Sequence, residues 1–238
     1  MTITVADPRG MARTGAFVPV AAIPMDARVE ALRFLAAYAY SPAGTDPVSR
    51  RSRRLCAAIK AADPEVLAGG ARTIAALVRE RADFAAHLDP DAVLVPVPSS
   101  VPRPTAETDV SVDIARALAR CGIGAGVRAV LARGMPVRKS ATAPVGARPS
   151  VGMHFASFRI VATPLESAVT AFVLVDDVVS RGRTLLAAAC RLRERFPRTP
   201  IVAVALMRTL GYVTDLPGLT APCLGDIHWR HGDAVRRP

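Results

Sequence analysis

Residues 171–188, AFVLVDDVVSRGRTLLAA, constrain the fold most. The run from Ala171 to Val175 is continuously apolar, which reads as a strand buried on both faces. It leads directly into Asp176 and Asp177, and two adjacent carboxylates at the end of such a strand are costly unless a ligand or the solvent receives them. A helical pattern, TLLAAACRLRERF (184–196), and a second valine-rich run, PIVAVALM (200–207), follow at once. Strand, helix and strand at this spacing predict a parallel sheet with crossover helices. The expected fold class is therefore α/β, a parallel sheet with mixed edges, flanked by helices.

The rest of the chain is read around that unit. Residues 1–25 have scattered Gly and Pro and no sustained period, so they are expected to be irregular. Val29, Leu32, Leu35 and Ala36 recur at helical spacing and predict a helix. SPAGTDPVSRR breaks it, and helices are expected near 49–61 and 71–88, split by DPEVLAGG. AVLVPVP (92–98) reads as a buried strand stopped by proline, and DVSVDIARALARCG (109–122) as a helix with glycine past its end. RAVLA (128–132) and HFASFRI (154–160) are expected strands, and MPVRKSATAPVGARPSVG (135–152) a long polar loop. The length of 238 residues suits one α/β domain with an appended lobe.

Charge narrows the partners. The net charge is +11, with 29 Arg against 2 Lys. No acidic residue lies between Asp113 and Glu166, while Arg116, Arg120, Arg128, Arg133, Arg138, Lys139, Arg148 and Arg159 do. Such a segment suits a polyanion, either nucleic acid or a small phosphorylated substrate, or is simply a solvated face. SRRSRRL (49–55) is a second basic cluster, also open to a solvated or a nucleic-acid reading. Cys56, Cys121, Cys190 and Cys223 lie far apart without a CxxC, so they are read as buried thiols rather than as a disulfide or zinc framework. His87, His154, His228 and His231 are isolated and read as core or surface histidines. No apolar run reaches the roughly 18 residues of a membrane span, and the N-terminus lacks a secretion-signal layout, so the expected location is cytoplasmic.

The strand end carries the chemistry. In open parallel sheets, ligands gather beyond the carboxyl ends of the strands. SRGRT (180–184) links the acids to a helix, and a glycine turn that opens a helix presents backbone N–H groups and the positive end of the helix dipole. Ser180 and Thr184 add hydroxyls, and Arg181 or Arg183 a charge. A phosphorylated sugar fits this arrangement, with phosphate in the cup and ribose hydroxyls on the carboxylates. Simple capping calls for one acid, not two ahead of a separate turn. Neither GxxxxGK[ST] nor GxGxxG is present.

FVLVDDVVSRGRT resembles the phosphoribosyl-pyrophosphate (PRPP) motif of type I phosphoribosyltransferases. VLVPVPSS (93–100) with Arg103 resembles the pyrophosphate-loop region of the ComF-like, amidophosphoribosyltransferase-related branch, and LARGMPVRKS through ARPSVGMHF resembles its mobile loop. The resemblance implies that Asp176 and Asp177 bind the ribose hydroxyls and Mg²⁺, directly or through PRPP hydroxyls and water. It implies that Ser180, Arg181, Gly182, Arg183 and Thr184 hold the 5′-phosphate. Pro98, Ser99, Ser100 and Arg103 would face the pyrophosphate, and Arg138 and Lys139 would close over the site. The pattern departs from the usual turn, which has two threonines where Ser180 and Arg181 stand. Purine-salvage members carry an aspartate at the place of Ser180, which weakens that assignment. A glutaminase nucleophile and the four-cysteine ribbon common ahead of ComF-like domains are also missing.

The expected architecture is an irregular segment (1–25) and a single phosphoribosyltransferase-like domain (26–238), made of an N-terminal helical hood (26–90), a PRPP-binding core (91–210) and a C-terminal tail (211–238). The expected activity is Mg²⁺-dependent transfer of ribose 5-phosphate from PRPP to an unidentified nitrogen nucleophile. The alternatives are a non-catalytic PRPP-sensing regulator and a nucleic-acid-associated accessory protein of the DNA-uptake type. Beyond PRPP and the acceptor, nucleic acid on the basic surface and a second copy of the chain are the candidate partners, and no membrane is expected.

Overall fold

The computed structural model describes residues 22–102, 109–138, 148–161, 169–211 and 215–238. Among them, a seven-stranded sheet has the order β3-β2-β6-β7-β1-β8-β9. The strands are β1 (Ala31–Tyr40), β2 (Val93–Pro96), β3 (Gly126–Val127), β6 (Phe172–Val179), β7 (Ile201–Thr209), β8 (Thr220–Arg230) and β9 (Asp233–Arg237). The first five in sheet order run parallel, while β8 and β9 continue the sheet antiparallel. A separate two-stranded arm pairs β4 (Leu131–Arg133) with β5 (Phe158–Ile160).

Helices α1 (Pro47–Lys60), α2 (Pro64–Glu80), α3 (Ala82–Ala85) and α4 (Val110–Arg120) cover one face, and α5 (Val151–Ser157) and α6 (Arg183–Arg195) the other. Strand alternation divides the core accordingly. Phe172 and Leu174 pack with Leu185 and Leu186 of α6, while Val173 and Val175 pack with Ile59 of α1 and Ile114 of α4. All four cysteines are free thiols, three of them buried. No helix among the described residues is long and apolar enough to cross a membrane.

Five local expectations are corrected. Residues 29–36 do not form a helix: β1 occupies this stretch, inside the sheet between β7 and β8, with Phe34 through Ala37 fully buried. A strand buried on both faces is apolar throughout, so helical spacing appears in it by coincidence. DPEVLAGG does not split two helices. Asp63 caps α2 by accepting from the N–H groups of Glu65 (3.0 Å) and Val66 (3.1 Å), with Pro64 in the first turn. Gly70 sits inside α2 where it crosses β7; a Cβ there would meet Leu206 Cδ2 at 3.0 Å.

HFASFRI is a strand only from Phe158 onward. Ser150 accepts from the N–H of Met153 (3.2 Å) and starts α5 through His154 and Phe155. The strand predicted over 171–175 runs on to Val179, so the acid pair lies within its ladder, with Asp176 opposite Ala205 of β7. Residues 211–238, expected as a tail, include the β8–β9 hairpin. Its turn places His231 (φ 49°) and Gly232 (φ 77°) both at positive φ, a geometry that suits a tight two-residue connection.

Candidate functional site

The carboxyl ends of β2 and β6 meet at one edge of the molecule. Register pairs Pro96 with Val175, and Val97 donates its N–H to the Val175 carbonyl (2.9 Å). Pro98–Ser100 therefore leaves the sheet alongside Asp176 and Asp177. The turn is held on two sides. Ser99 donates its N–H to Asp109 Oδ2 (3.3 Å), and Ser111 donates its hydroxyl to the Val97 carbonyl (2.8 Å). On the other side Arg133 donates to the carbonyls of Ser99 (2.9 Å) and Pro98 (3.1 Å), and Val137 donates its N–H to the Ser100 carbonyl (2.8 Å). Arg138 follows directly and is exposed; Arg103 and Lys139 lie outside the described residues.

Because strand alternation continues through the acid pair, the two carboxylates serve opposite faces. Asp176 lines a pocket with Arg148, Val178, Val179 and the turn from Ser180 to Leu185. Asp177 turns to the α1 face, where Lys60 Nζ lies 2.7 Å from its Oδ2. Asp176 Oδ1 accepts the N–H of Asp177 (2.9 Å), and Asp177 Oδ1 that of Val178 (2.7 Å). Burial, and then the neighbouring Asp177 charge, raises the Asp176 carboxyl well above its ordinary range. A carboxyl perturbed this way inside a pocket marks a candidate functional group. Burial works against the Lys60 ammonium, but the Asp177 carboxylate outweighs it and raises its proton affinity.

The pocket floor is the start of α6. Gly182 adopts φ +83° and caps the helix without a side-chain bond, while Leu186 donates its N–H to the Gly182 carbonyl (2.8 Å). The first turn of a helix leaves its N–H groups without intrahelical partners, and no acidic side chain occupies this one. The pocket gathers Ser180, Arg181, Gly182, Arg183 and Thr184 of the predicted phosphate cup. Arg183 is nevertheless committed elsewhere: Nε donates to Asp233 Oδ1 (2.7 Å), Nη2 pairs with Asp233 Oδ2, and Nη1 reaches the Pro149 carbonyl (3.3 Å). Charge facing a ligand is left to Arg181, exposed at the turn, and to Arg148 on the pocket wall.

Sequence reasoning did not single out Lys60, Arg133, Asp109 or Asp233 as parts of this region. Lys60 carried a signal, since it is one of two lysines in the chain. The others act through tertiary contacts that no local pattern announces. His154, read as a core histidine, is 4% exposed, and among the described residues neither ring nitrogen has a hydrogen-bond partner. Burial, then Arg133 and Arg183, lowers its imidazole to about 3. Trp229, on β8, has the Arg28 guanidinium 4.9 Å from the centre of its ring.

Among the described residues no group of three or more His, Cys, Asp or Glu side chains could hold a metal ion. A dedicated protein cage for Mg²⁺ is thus not built from them. Mg²⁺ held by one carboxylate together with substrate oxygens and water needs no such cage, and Asp176 on the pocket wall fits that mode.

No protein-family model matches the chain, and no curated protein matches it.

Proposed function

We propose that the protein is a type I phosphoribosyltransferase-like enzyme that binds PRPP and transfers its ribose 5-phosphate to a nitrogen nucleophile, releasing pyrophosphate. The observation that carries this reading is the sharing of one pocket by Asp176 and the first turn of α6. A carboxylate accepts hydrogen bonds from sugar hydroxyls, and a helix N-terminus receives a phosphate. The amides of Gly182 to Leu185, with the hydroxyls of Ser180 and Thr184, hold the 5′-phosphate, and Arg148 and Arg181 add charge. Asp176 takes the ribose hydroxyls and the direct contact to Mg²⁺. Asp177, with Lys60 on its outer oxygen, fixes the backbone on which Asp176 is carried. Mg²⁺, when bound, neutralises charge on the leaving pyrophosphate.

The turn Pro98–Ser100, beside the acids by register, receives the pyrophosphate, with Arg103, Arg138 and Lys139 as its cations. Charge grows on the leaving group as the sugar becomes cation-like, so donors fixed in advance at that end lower the barrier. Cations that close over the site also keep water from the reactive sugar. The test is pyrophosphate release from PRPP and Mg²⁺ in the presence of ammonia and a panel of amines and nucleobases. Release that depends on acceptor and disappears in Asp176→Ala supports the reading, and none with any acceptor counts against it.

A second reading, a PRPP-responsive regulator that contacts nucleic acid, is favoured by one feature. Arg50, Arg51 and Arg54 are exposed on α1, with no acidic residue between Asp46 and Asp63. It predicts nucleic-acid binding that weakens steeply with salt and changes when PRPP is added.

A further inference from the structure

We propose that Arg133 is the positioning residue of the pyrophosphate turn: its buried guanidinium sets the peptide planes of Pro98–Ser100 so that the turn discriminates a pyrophosphate-bearing sugar from a plain sugar phosphate. The inference rests on the PRPP reading above and adds to it a residue, a mechanism and a ligand preference.

Arg133 is 5% exposed and uses all three of its nitrogens. Nε and Nη2 donate to the consecutive carbonyls of Ser99 (2.9 Å) and Pro98 (3.1 Å), and Nη1 donates to Ser157 Oγ at the end of α5. The guanidinium lies 3.9 Å from the centre of the Phe158 ring, and Phe158 is its register partner in the β4–β5 arm. Val137, four residues past β4, holds the next carbonyl by donating its N–H to Ser100 (2.8 Å). Three successive carbonyls of the turn are thereby drawn to one side.

A trans peptide points its N–H away from its C=O, and no peptide bond among the described residues is cis. Drawing the Pro98 carbonyl toward Arg133 turns the Ser99 N–H the opposite way, where Asp109 accepts it. By the same geometry the N–H groups of Ser100 and Val101 turn away from the arm. Consecutive amides on one side of a turn are the arrangement that binds an anion. The charge acts as well as the geometry. No carboxylate lies in ion-pair contact with Arg133 among the described residues, and its hydrogen bonds go to neutral oxygens. Its charge acts from behind the turn on the carboxylates of Asp176 and Asp109 and lowers the cost of bringing an anion beside them. Burial lowers the guanidinium to about 10, with Asp176 and Asp109 opposing, so it stays charged at neutral pH.

The experiment compares PRPP with ribose 5-phosphate, which lacks only the pyrophosphate, by calorimetry in Mg²⁺ on wild type and Arg133→Lys. Lysine keeps the charge but cannot span two carbonyls and a hydroxyl with one planar fork. The expected result is a loss of about tenfold or more in PRPP affinity, as for one weakened bond to a charged group, with ribose 5-phosphate affinity unchanged within about twofold. Ser157→Ala, which removes the Nη1 partner and the hydroxyl's own bond to the His154 carbonyl but no group of the turn, should shift the same ratio in the same direction by less, and it stands in if Arg133→Lys does not fold. Equal losses for both ligands, or no change in either, overturn the inference while leaving the PRPP reading in place. A wild type that binds neither ligand overturns both.

Discussion

Gly182→Ala tests whether the turn that opens α6 requires a residue without a side chain. At φ +83° a non-glycine residue costs about 1–2 kcal/mol. The added methyl would also stand 2.6 Å from Ile227 Cδ1 and Cγ1 and 2.7 Å from Cγ2. Ile227 is fully buried in β8, so relieving the overlap repacks the core at about 1–3 kcal/mol. Together these remove about 2–5 kcal/mol, and for a chain of this size each kcal/mol lowers Tm by about 2–4 °C. A fall of about 5–15 °C is expected by circular dichroism, with a matching shift in urea midpoint. Ile227→Ala removes all three crowded atoms and alone costs about 2–5 kcal/mol. In the double variant the overlap is gone but the dihedral cost remains, so the two losses sum to less than additivity by about 1–3 kcal/mol. A Gly182→Ala protein within about 0.5 kcal/mol of wild type, or strict additivity in the double variant, would refute the argument.

Two other perturbations test the electrostatics. The Lys60–Asp177 pair joins side chains 54% and 16% exposed, so Lys60→Met should cost about 0.5–1 kcal/mol at low salt and less at high salt. A salt-independent loss above about 3 kcal/mol in urea denaturation would mean the pair behaves as buried. The His154 imidazole falls to about 3 in the folded chain against 6.5 when unfolded, so the folded state binds fewer protons. Its contribution is whole above pH 6.5 and is lost as the pH drops, by about 2 kcal/mol at pH 5. His154→Leu should flatten the fall in stability between pH 7 and pH 5, and an unchanged slope would contradict this assignment.

The β6–α6–β7 unit was legible because each signal is local: a valine-rich run, a glycine turn and a helical period follow one another without interruption. β1 was not, because Ala36, Ala37 and Ala39 favour a helix on their own and only the flanking strands impose extension. Residues 154–157 were expected in a strand, and the Ser150 cap starts a helix there instead. At the site, the meeting of the Ser180–Thr184 turn with the acid pair at one strand end was legible in the sequence, yet the division of the two acids between two faces was not. That division follows from carrying the strand past Val175, where the reading had ended it. The Lys60, Arg133 and Asp233 contacts join residues 117, 34 or 35, and 50 positions away, and no local pattern encodes them.

Asp176 and the first turn of α6 are together proposed as a PRPP site. The most direct test is calorimetric titration with PRPP and Mg²⁺ of wild type, Asp176→Asn and Asp177→Asn, each shown to be folded. Binding by wild type is expected, with loss of that binding in Asp176→Asn and a smaller loss in Asp177→Asn, whose side chain faces Lys60 instead of the pocket. A folded wild type that binds no PRPP, or an Asp176→Asn protein that binds it as tightly as wild type, would contradict the proposal.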